Sequence, residues 1–391
     1  MTKEEELKKI LTEDKLKEIK QLKKLDLSLM FFEELNLEEF ISELVSQLKD
    51  ESKIEDLNLQ SNELSTIPLG VSKMKLNILR LGKNNFTSFP SEFLAQEQNL
   101  QEVFLNNNLF FGSNWFDSKE KFQLKLLDLS YNKITKFSTF FGMQIDNLKL
   151  IELRLNSNKL NEFPEFLKNC SNLKILHMDS NEISDIEGIE GMKSLEELKL
   201  EENQLKRIPK GISSCLNLKK LFLNTNQIDE ISDELFKLKS LVVLTLHSNS
   251  IKKISTEIKN LNSLTHLNLH NNQISKLPNE ICELSLQELT LFGNQLTEIP
   301  ENIYQLNQLK CLYLQQNQIK SLPDGMQKMI NLEEIDLFQN QLKSLPNWIG
   351  NLINLKKLSL DSNDIKYLPG EIKLLTELID LNVENNPNLL K

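Results

Sequence analysis

His266 and His270 stand four residues apart, the spacing at which an α-helix turns two imidazoles toward one zinc ion. They lie in Thr265-His266-Leu267-Asn268-Leu269-His270, where alternating apolar residues read as a strand, and four strand residues span ~13 Å. One ion cannot bridge that distance. His247 and His270 hold equivalent places in adjacent repeats, about 4.8 Å apart if the repeats stack as neighbouring strands. The column they share continues into Asn224 and Phe292, neither of which is a usual zinc ligand. The remaining inventory is thin. Gly82-Lys83 lacks the glycine frame of a phosphate loop, and no HExxH, CxxC or G-x-S-x-G segment occurs. Cys170, Cys215, Cys282 and Cys311 are scattered singly; Cys170 and Cys215 fall two repeats apart, ~10 Å by strand spacing and beyond disulfide reach. No catalytic residue, metal or cofactor is expected.

What would bring His247 over His270 is a repeat that runs along most of the chain. Fifteen asparagines recur in one apolar frame: Asn62, Asn84, Asn108, Asn132, Asn158, Asn181, Asn203, Asn226, Asn249, Asn272, Asn294, Asn317, Asn340, Asn363 and Asn386. Their spacing averages about 23 residues, within the range of one solenoid architecture. Ahead of each stands apolar-x-apolar-x-x, as in Leu198-Lys199-Leu200-Glu201-Glu202-Asn203. Alternate residues of an extended segment face the same way, so Leu198 and Leu200 point inward and Lys199 and Glu201 outward. The backbone then turns inside packed core, where its N–H and C=O groups need partners. An asparagine side chain supplies donors and an acceptor, so stacked coils predict a hydrogen-bonded ladder. One coil cannot bury its own apolar face; a stack can.

This pattern resembles the leucine-rich repeat family over nearly the whole chain. The resemblance implies an α/β solenoid, a right-handed horseshoe with a concave parallel β-sheet and an irregular, 3-10 or helical convex side, in about 16 coils over residues 25–391. Return segments such as Leu277-Pro278-Asn279-Glu280-Ile281, Ile299-Pro300-Glu301-Asn302-Ile303 and Leu322-Pro323-Asp324-Gly325-Met326 look like the intracellular subclass. Its members include scaffolds that bind Ras-type GTPases, plant intracellular Ras-group proteins and the repeat region of fungal adenylate cyclases. One unit departs: Ile183-Ser184-Asp185-Ile186-Glu187-Gly188-Ile189 resembles the type found in a regulatory subunit of a protein phosphatase. Function in such a family resides at the variable positions rather than in the frame.

A net charge of −10 argues against nucleic acid or an anionic membrane as the main partner. No apolar run approaches the ~20 residues that span a bilayer. Met1 to Lys9 is rich in Lys and Glu, unlike a secretory signal, and the cysteines do not cluster as in the disulfide caps of secreted relatives. A cytoplasmic location is therefore expected, which leaves Asn85-Phe86-Thr87 and Asn169-Cys170-Ser171 idle as glycosylation matches.

Residues 1–24 read as an N-terminal helical cap, with Leu7, Ile10, Leu11, Leu16, Ile19 and Leu22 near helical spacing and a fresh helix start at Thr12. Leu25 to Met30 reads as a first strand with Met30 in the asparagine slot, and Leu37 to Leu48 as a long helical return. Between Asn84 and Asn158 the spacing lengthens and phenylalanines concentrate. Phe86, Phe89, Phe93, Phe110, Phe116, Phe137, Phe141, Phe163 and Phe166 are expected in the core, whereas Phe111, Phe140 and Trp115 fit its slots less well. The last coil runs to Leu389-Leu390-Lys391 without a polar cover, so the expectation is either that it docks on something, a second copy included, or that Pro387 and the short tail suffice to blunt it.

The outward strand positions form three parallel columns. In the first half they read as mostly polar, with Asp56, Arg80, Glu102, Asp128 and Arg154 among them. From Phe222 to Phe338 the character changes, Cys311 included, with Asp179, Glu197 and Glu201 before the patch and Glu334, Asp336 and Asp361 after it. An aromatic centre with a charged rim is how interfaces concentrate binding energy. The expected protein-binding residues are Phe222, Val243, His247, His266, His270, Phe292, Tyr313, Asp336 and Phe338. The flanking acids anticipate a partner with Arg or Lys around an apolar knob. The expected function is a non-catalytic interaction scaffold in intracellular signalling, with binding residues held ready on a rigid sheet. By resemblance, a Ras-type GTPase, or a kinase or phosphatase complex under its control, is the favoured partner. Alternatives are a phosphatase regulatory subunit, a metal- or ligand-binding protein, and a factor that captures a host protein.

Overall fold

The computed structural model describes residues 12–29, 37–48, 53–68, 71, 74–88, 100–113, 123–138 and 149–390. They divide into two compact units, Met1–Ile183 and Ser184–Lys391. In the first, helix α1 (Glu13–Gln21) starts where the Thr12 hydroxyl accepts the Lys15 N–H. Strand β1 (Lys24–Asp26) follows, then helix α2 (Leu37–Leu48), which buries Phe40, Ile41, Leu44 and Leu48 along one stripe. Thereafter short strands alternate with irregular returns: β2 (Asp56–Asn58), β3 (Ile78–Arg80), β4 (Glu102–Phe104), β5 (Phe111–Gly112), β6 (Leu126–Asp128), β7 (Lys133–Ile134), β8 (Glu152–Arg154) and β9 (Ile175–His177). The order β1-β2-β3-β4-β6-β8-β9 is parallel throughout, and β5 pairs with β7 as a separate ribbon.

The second unit is more regular. It contains β10 (Glu197–Lys199), β11 (Lys220–Phe222), β12 (Val243–Thr245), β13 (His266–Asn268), β14 (Glu288–Thr290), β15 (Cys311–Tyr313), β16 (Glu334–Asp336), β17 (Lys357–Ser359) and β18 (Asp380–Asn382), paired in sequence order and parallel. In β10 to β17 the middle residue points inward and is buried, as at Leu198, Leu221 and Leu244. Each such side chain contributes roughly 1.5–3 kcal/mol of hydrophobic stabilisation. The returns are 3-10 turns, and several begin at a proline: Pro209, Pro278, Pro300, Pro323, Pro346 and Pro369 precede them with backbone near the angle the ring imposes. The proline carbonyl accepts the N–H three residues on, as from Ile281 to Pro278, and seats that isoleucine in the core.

The asparagine ladder exists, and it runs between side chain and backbone. Asn272 Nδ2 donates to the Leu246 carbonyl of the preceding coil at 3.0 Å and to its own coil's Leu269 carbonyl at 3.0 Å. Its Oδ1 accepts the Ile251 N–H at 3.0 Å. The residue before each frame asparagine is left-handed, with φ 50° at Asn271 and 55° at Gln316; Gly293 is the glycine among them. That conformation aims the asparagine amide back at the neighbouring coil. Leu29, with φ 57°, turns the first coil the same way ahead of position 30.

Phe86, Phe110, Phe137, Phe163 and Phe166 are buried, and the rings of Phe137 and Phe166 approach to 5.3 Å. Phe111 is 70% exposed. Leu7, Ile10 and Leu11 of the expected cap, Met30, and Phe89, Phe93, Phe116, Phe140, Phe141 and Trp115 lie outside the described residues. Among those described, no helix is long and apolar enough to cross a membrane.

Candidate functional site

The outward side chains of β11 to β16 fall into register on one sheet of the second unit. Phe222 lies opposite Thr245, Thr245 opposite Asn268, Asn268 opposite Thr290, Thr290 opposite Tyr313, and Tyr313 opposite Asp336. A second column runs Val243, His266, Glu288, Cys311, Glu334. The third lies two residues beyond the strands, at His247, His270, Phe292, Gln315 and Phe338, carried by backbone bonds such as Gln316 N–H to the Phe338 carbonyl at 2.7 Å.

Three members of the third column form one stack. The His247 and His270 rings are 4.0 Å apart and 10° from parallel, and His270 and Phe292 repeat both values. His270 Nδ1 lies 2.7 Å from Asn268 Oδ1, and Asn268 Oδ1 also accepts the His270 N–H, so the ring is held in place. Burial pushes His270 down to about 4, with the neighbouring His247 adding to the shift; burial also lowers His247. At neutral pH both rings are uncharged and present half-buried π faces. Among the described residues no group of three or more His, Cys, Asp or Glu could hold a metal ion.

The other expected residues divide. Val243, Tyr313 and Phe338 are half-buried on the same sheet, while His266 is exposed and its Nδ1 lies 2.8 Å from the Thr265 hydroxyl. Phe222 sits at the margin with the Lys199 ammonium 5.5 Å above its ring. Burial, then the neighbouring Cys311, raises the Tyr313 phenol, so it remains a donor at any physiological pH. The Cys311 thiol is also raised by burial, and Cys170, Cys215 and Cys282 are buried with thiols pushed up to about 12. None of these thiols is poised as a nucleophile.

Two expectations need correction. Asp336 is not on a rim: it lies beside Tyr313 within the patch, and its Oδ1 accepts the Phe338 N–H at 2.9 Å. The aspartate thus fixes the turn that carries Phe338, a role that a count of charged positions does not reveal. The first unit's face is also less polar than its polar residues suggested, because Ile78, Phe104, Leu126, Ile175 and His177 point outward there, half-buried. Arg80 lies 4.6 Å over the Phe104 ring and covers part of it. Gln315 stands among the patch's outward positions in the sequence reading, and its Oε1 is buried between Phe292 and Phe338 in the column without a hydrogen-bond partner.

Models of known families match the chain here. The model described as leucine-rich repeat region covers residues 254–344, and that described as leucine rich repeat covers residues 149–205 and 216–274. A solved leucine-rich repeat protein of Leptospira interrogans is 31% identical, with 95% of this chain and 98% of that one aligned at a TM-score of 0.82. The plant peptide hormone receptor RGFR1, solved in complex with RGF2, is 28% identical over 88% of this chain and 56% of its own, at a TM-score of 0.70. Human leucine-rich repeats and immunoglobulin-like domains protein 3 is 27% identical over 154 residues, 39% of this chain but 14% of the human one. The match thus spans a small part of that relative.

Proposed function

This chain belongs to the leucine-rich repeat family, whose members are typically non-enzymatic protein-interaction scaffolds, and we propose from that premise that it binds a protein partner on the sheet face of residues 184–391. One observation carries the reading. The His247–His270–Phe292 stack, with Tyr313 and Phe338 beside it, offers fixed half-buried aromatic surface on a sheet whose backbone bonds are already satisfied. Little ordering remains to be done on binding, and large rigid rings are the side chains that dominate interfaces. The plant receptor of similar fold was solved with RGF2 bound, which supports partner binding as what such a scaffold does.

The favoured partner class is a Ras-type GTPase or a kinase or phosphatase complex acting with it. What supports this is the Leu-Pro-x-x-Ile return at Leu277 to Ile281 and its neighbours, the pattern of the intracellular subclass. Separated buried thiols at Cys170, Cys215 and Cys282 accord with a cytoplasmic setting, where thiols stay reduced. A phosphatase regulator is the weaker reading, because it rests on one coil around Ile189.

The test is capture from cell lysate with wild type and a Phe222→Ala, Tyr313→Ala, Phe338→Ala variant of matched stability. Partners retained by wild type and lost from the variant support the face. An unchanged set overturns it. Captured GTPase is then loaded with either nucleotide; equal affinity in both states removes the Ras-type reading and leaves the scaffold.

A further inference from the structure

The patch has a charge pattern as well as rings. No lysine or arginine occupies an outward position from Val243 to Phe338, while Glu288, Glu334 and Asp336 all do. Glu334 has Lys357 at 3.6 Å. Among the described residues Glu288 takes only a 3.4 Å bond from the Thr290 hydroxyl, and Asp336 takes only the Phe338 N–H on Oδ1. By contrast Glu333, one residue outside the columns, is held between Lys310 at 3.2 Å and Lys356 at 2.7 Å. Cations are thus supplied along the strand edge and withheld from the face. Across one strand spacing of about 4.8 Å, Asp336 faces Tyr313, and Phe338 faces Gln315 two residues further along.

Resting on the reading that this face binds a protein, we propose that it takes an arginine side chain of the partner, the guanidinium lying against Phe338 and Tyr313 and donating to Asp336 Oδ2 and Gln315 Oε1. A guanidinium fits where an ammonium does not. It is planar, stacks on ring faces, is weakly hydrated, and offers donors on separate edges of one plane, which suits acceptors set diagonally on neighbouring coils. Gln315 Oε1 is an acceptor out of water with nothing to accept on a half-buried side chain, so rotating that amide to meet an arriving donor removes a standing cost. The uncharged His247–His270–Phe292 stack is the adjoining apolar shelf, so the arginine is expected next to an apolar partner residue.

Random dodecapeptides displayed on phage are selected on the whole protein, and each clone is then measured on the triple alanine variant. Clones that need the face are expected to carry arginine beside Leu, Phe or another apolar residue. In a synthetic copy of one, Arg→Lys is expected to weaken binding about tenfold or more, Asp336→Asn on the protein by a similar factor, and the two together little further. Asparagine keeps an Oδ1 for the Phe338 N–H, so the fold is retained, and an unchanged denaturation midpoint verifies it. Clones that need the face but tolerate Arg→Lys overturn the arginine and leave the face standing. Clones indifferent to the triple variant, or none at all, overturn both.

Discussion

Arg80 and Tyr313 each stand four residues before a frame asparagine, one in each unit, and their surroundings differ in kind. Arg80 is used up: its Nε meets Asp56 Oδ1 at 3.2 Å and its guanidinium covers Phe104. Three strands on, Arg154 meets Asp128 at 3.8 Å and also pairs with Glu152. These contacts neutralise Asp56, Asp128 and Glu152 on the first unit's face and cap its Phe104 ring. Tyr313 is flanked by Thr290 and Asp336, with the ring stack beside it and, among the described residues, no cation over it. The same backbone frame therefore builds one face closed on itself and one left open, and the difference lies wholly in side chains that the repeat leaves free to vary.

The comparison breaks first if the frame itself differs between the units. Asn132 holds the carbonyls of Leu105 and Leu129 and the N–H groups of Asn108 and Phe110, as Asn272 holds its own set. Asn132→Ala and Asn272→Ala are each expected to lose about 1–3 kcal/mol for every buried group stranded, read as a lower urea midpoint. A large loss from one and none from the other would show that the units do not share the ladder.

Side chains on the two faces give the next largest effect. Tyr313→Ala or Phe338→Ala is expected to weaken partner binding by about 1–3 kcal/mol with a nearly unchanged midpoint, whereas Phe104→Ala leaves binding alone. Titration calorimetry on the captured partner reads both. Equal losses from Phe104 and Phe338 would erase the distinction between the faces.

Acid separates the units by its window. Asp26 in the first unit is held below the usual carboxylate value by the Ser28 hydroxyl and backbone N–H, so its contribution is present above about 3.8 and is lost as pH falls below that. His270 in the second runs the other way in origin. The unfolded chain takes up its proton near 6.5, whereas the folded ring refuses it until about 4, so stability declines as pH falls between those values. His270→Phe, which preserves a ring beside Phe292, is expected to flatten the fall in melting temperature across that window and leave the more acidic limb. A slope unchanged by the substitution would assign it elsewhere.

Much of this frame was legible because it repeats: Leu198, Leu200 and Asn203 recur often enough that burial pattern and turn position are over-determined. The helix start at Thr12 and the helix Leu37–Leu48 were legible from capping chemistry and spacing. The face was legible in composition only. That Lys199 lies over Phe222 and that Arg80 caps Phe104 depend on which rotamers neighbouring coils allow. No single coil's sequence contains that information. It resides between coils, at separations of about one repeat, and it decides which outward rings remain available.

The left-handed turn before each asparagine tests the smallest difference. Gly293 has φ 64°, and a Cβ there would meet the Asn271 side-chain oxygen, which is exposed and free to rotate away. Gly293→Ala then loses about 1 kcal/mol to the left-handed backbone and recovers roughly 0.4–1 kcal/mol by stiffening the unfolded chain. Gln316→Gly, at φ 55° in the next coil, reverses both terms. Both substitutions are therefore expected to shift the urea midpoint by less than about 0.5 kcal/mol equivalent, the alanine downward by whatever moving Asn271 adds. If Gln316→Gly were instead strongly stabilising, the non-glycine turns at Ser61, Lys83 and Tyr131 in the first unit would carry the same strain. Stored strain would then be a property of the frame, and the openness of the second face would still rest on Tyr313, Asp336 and Phe338 alone.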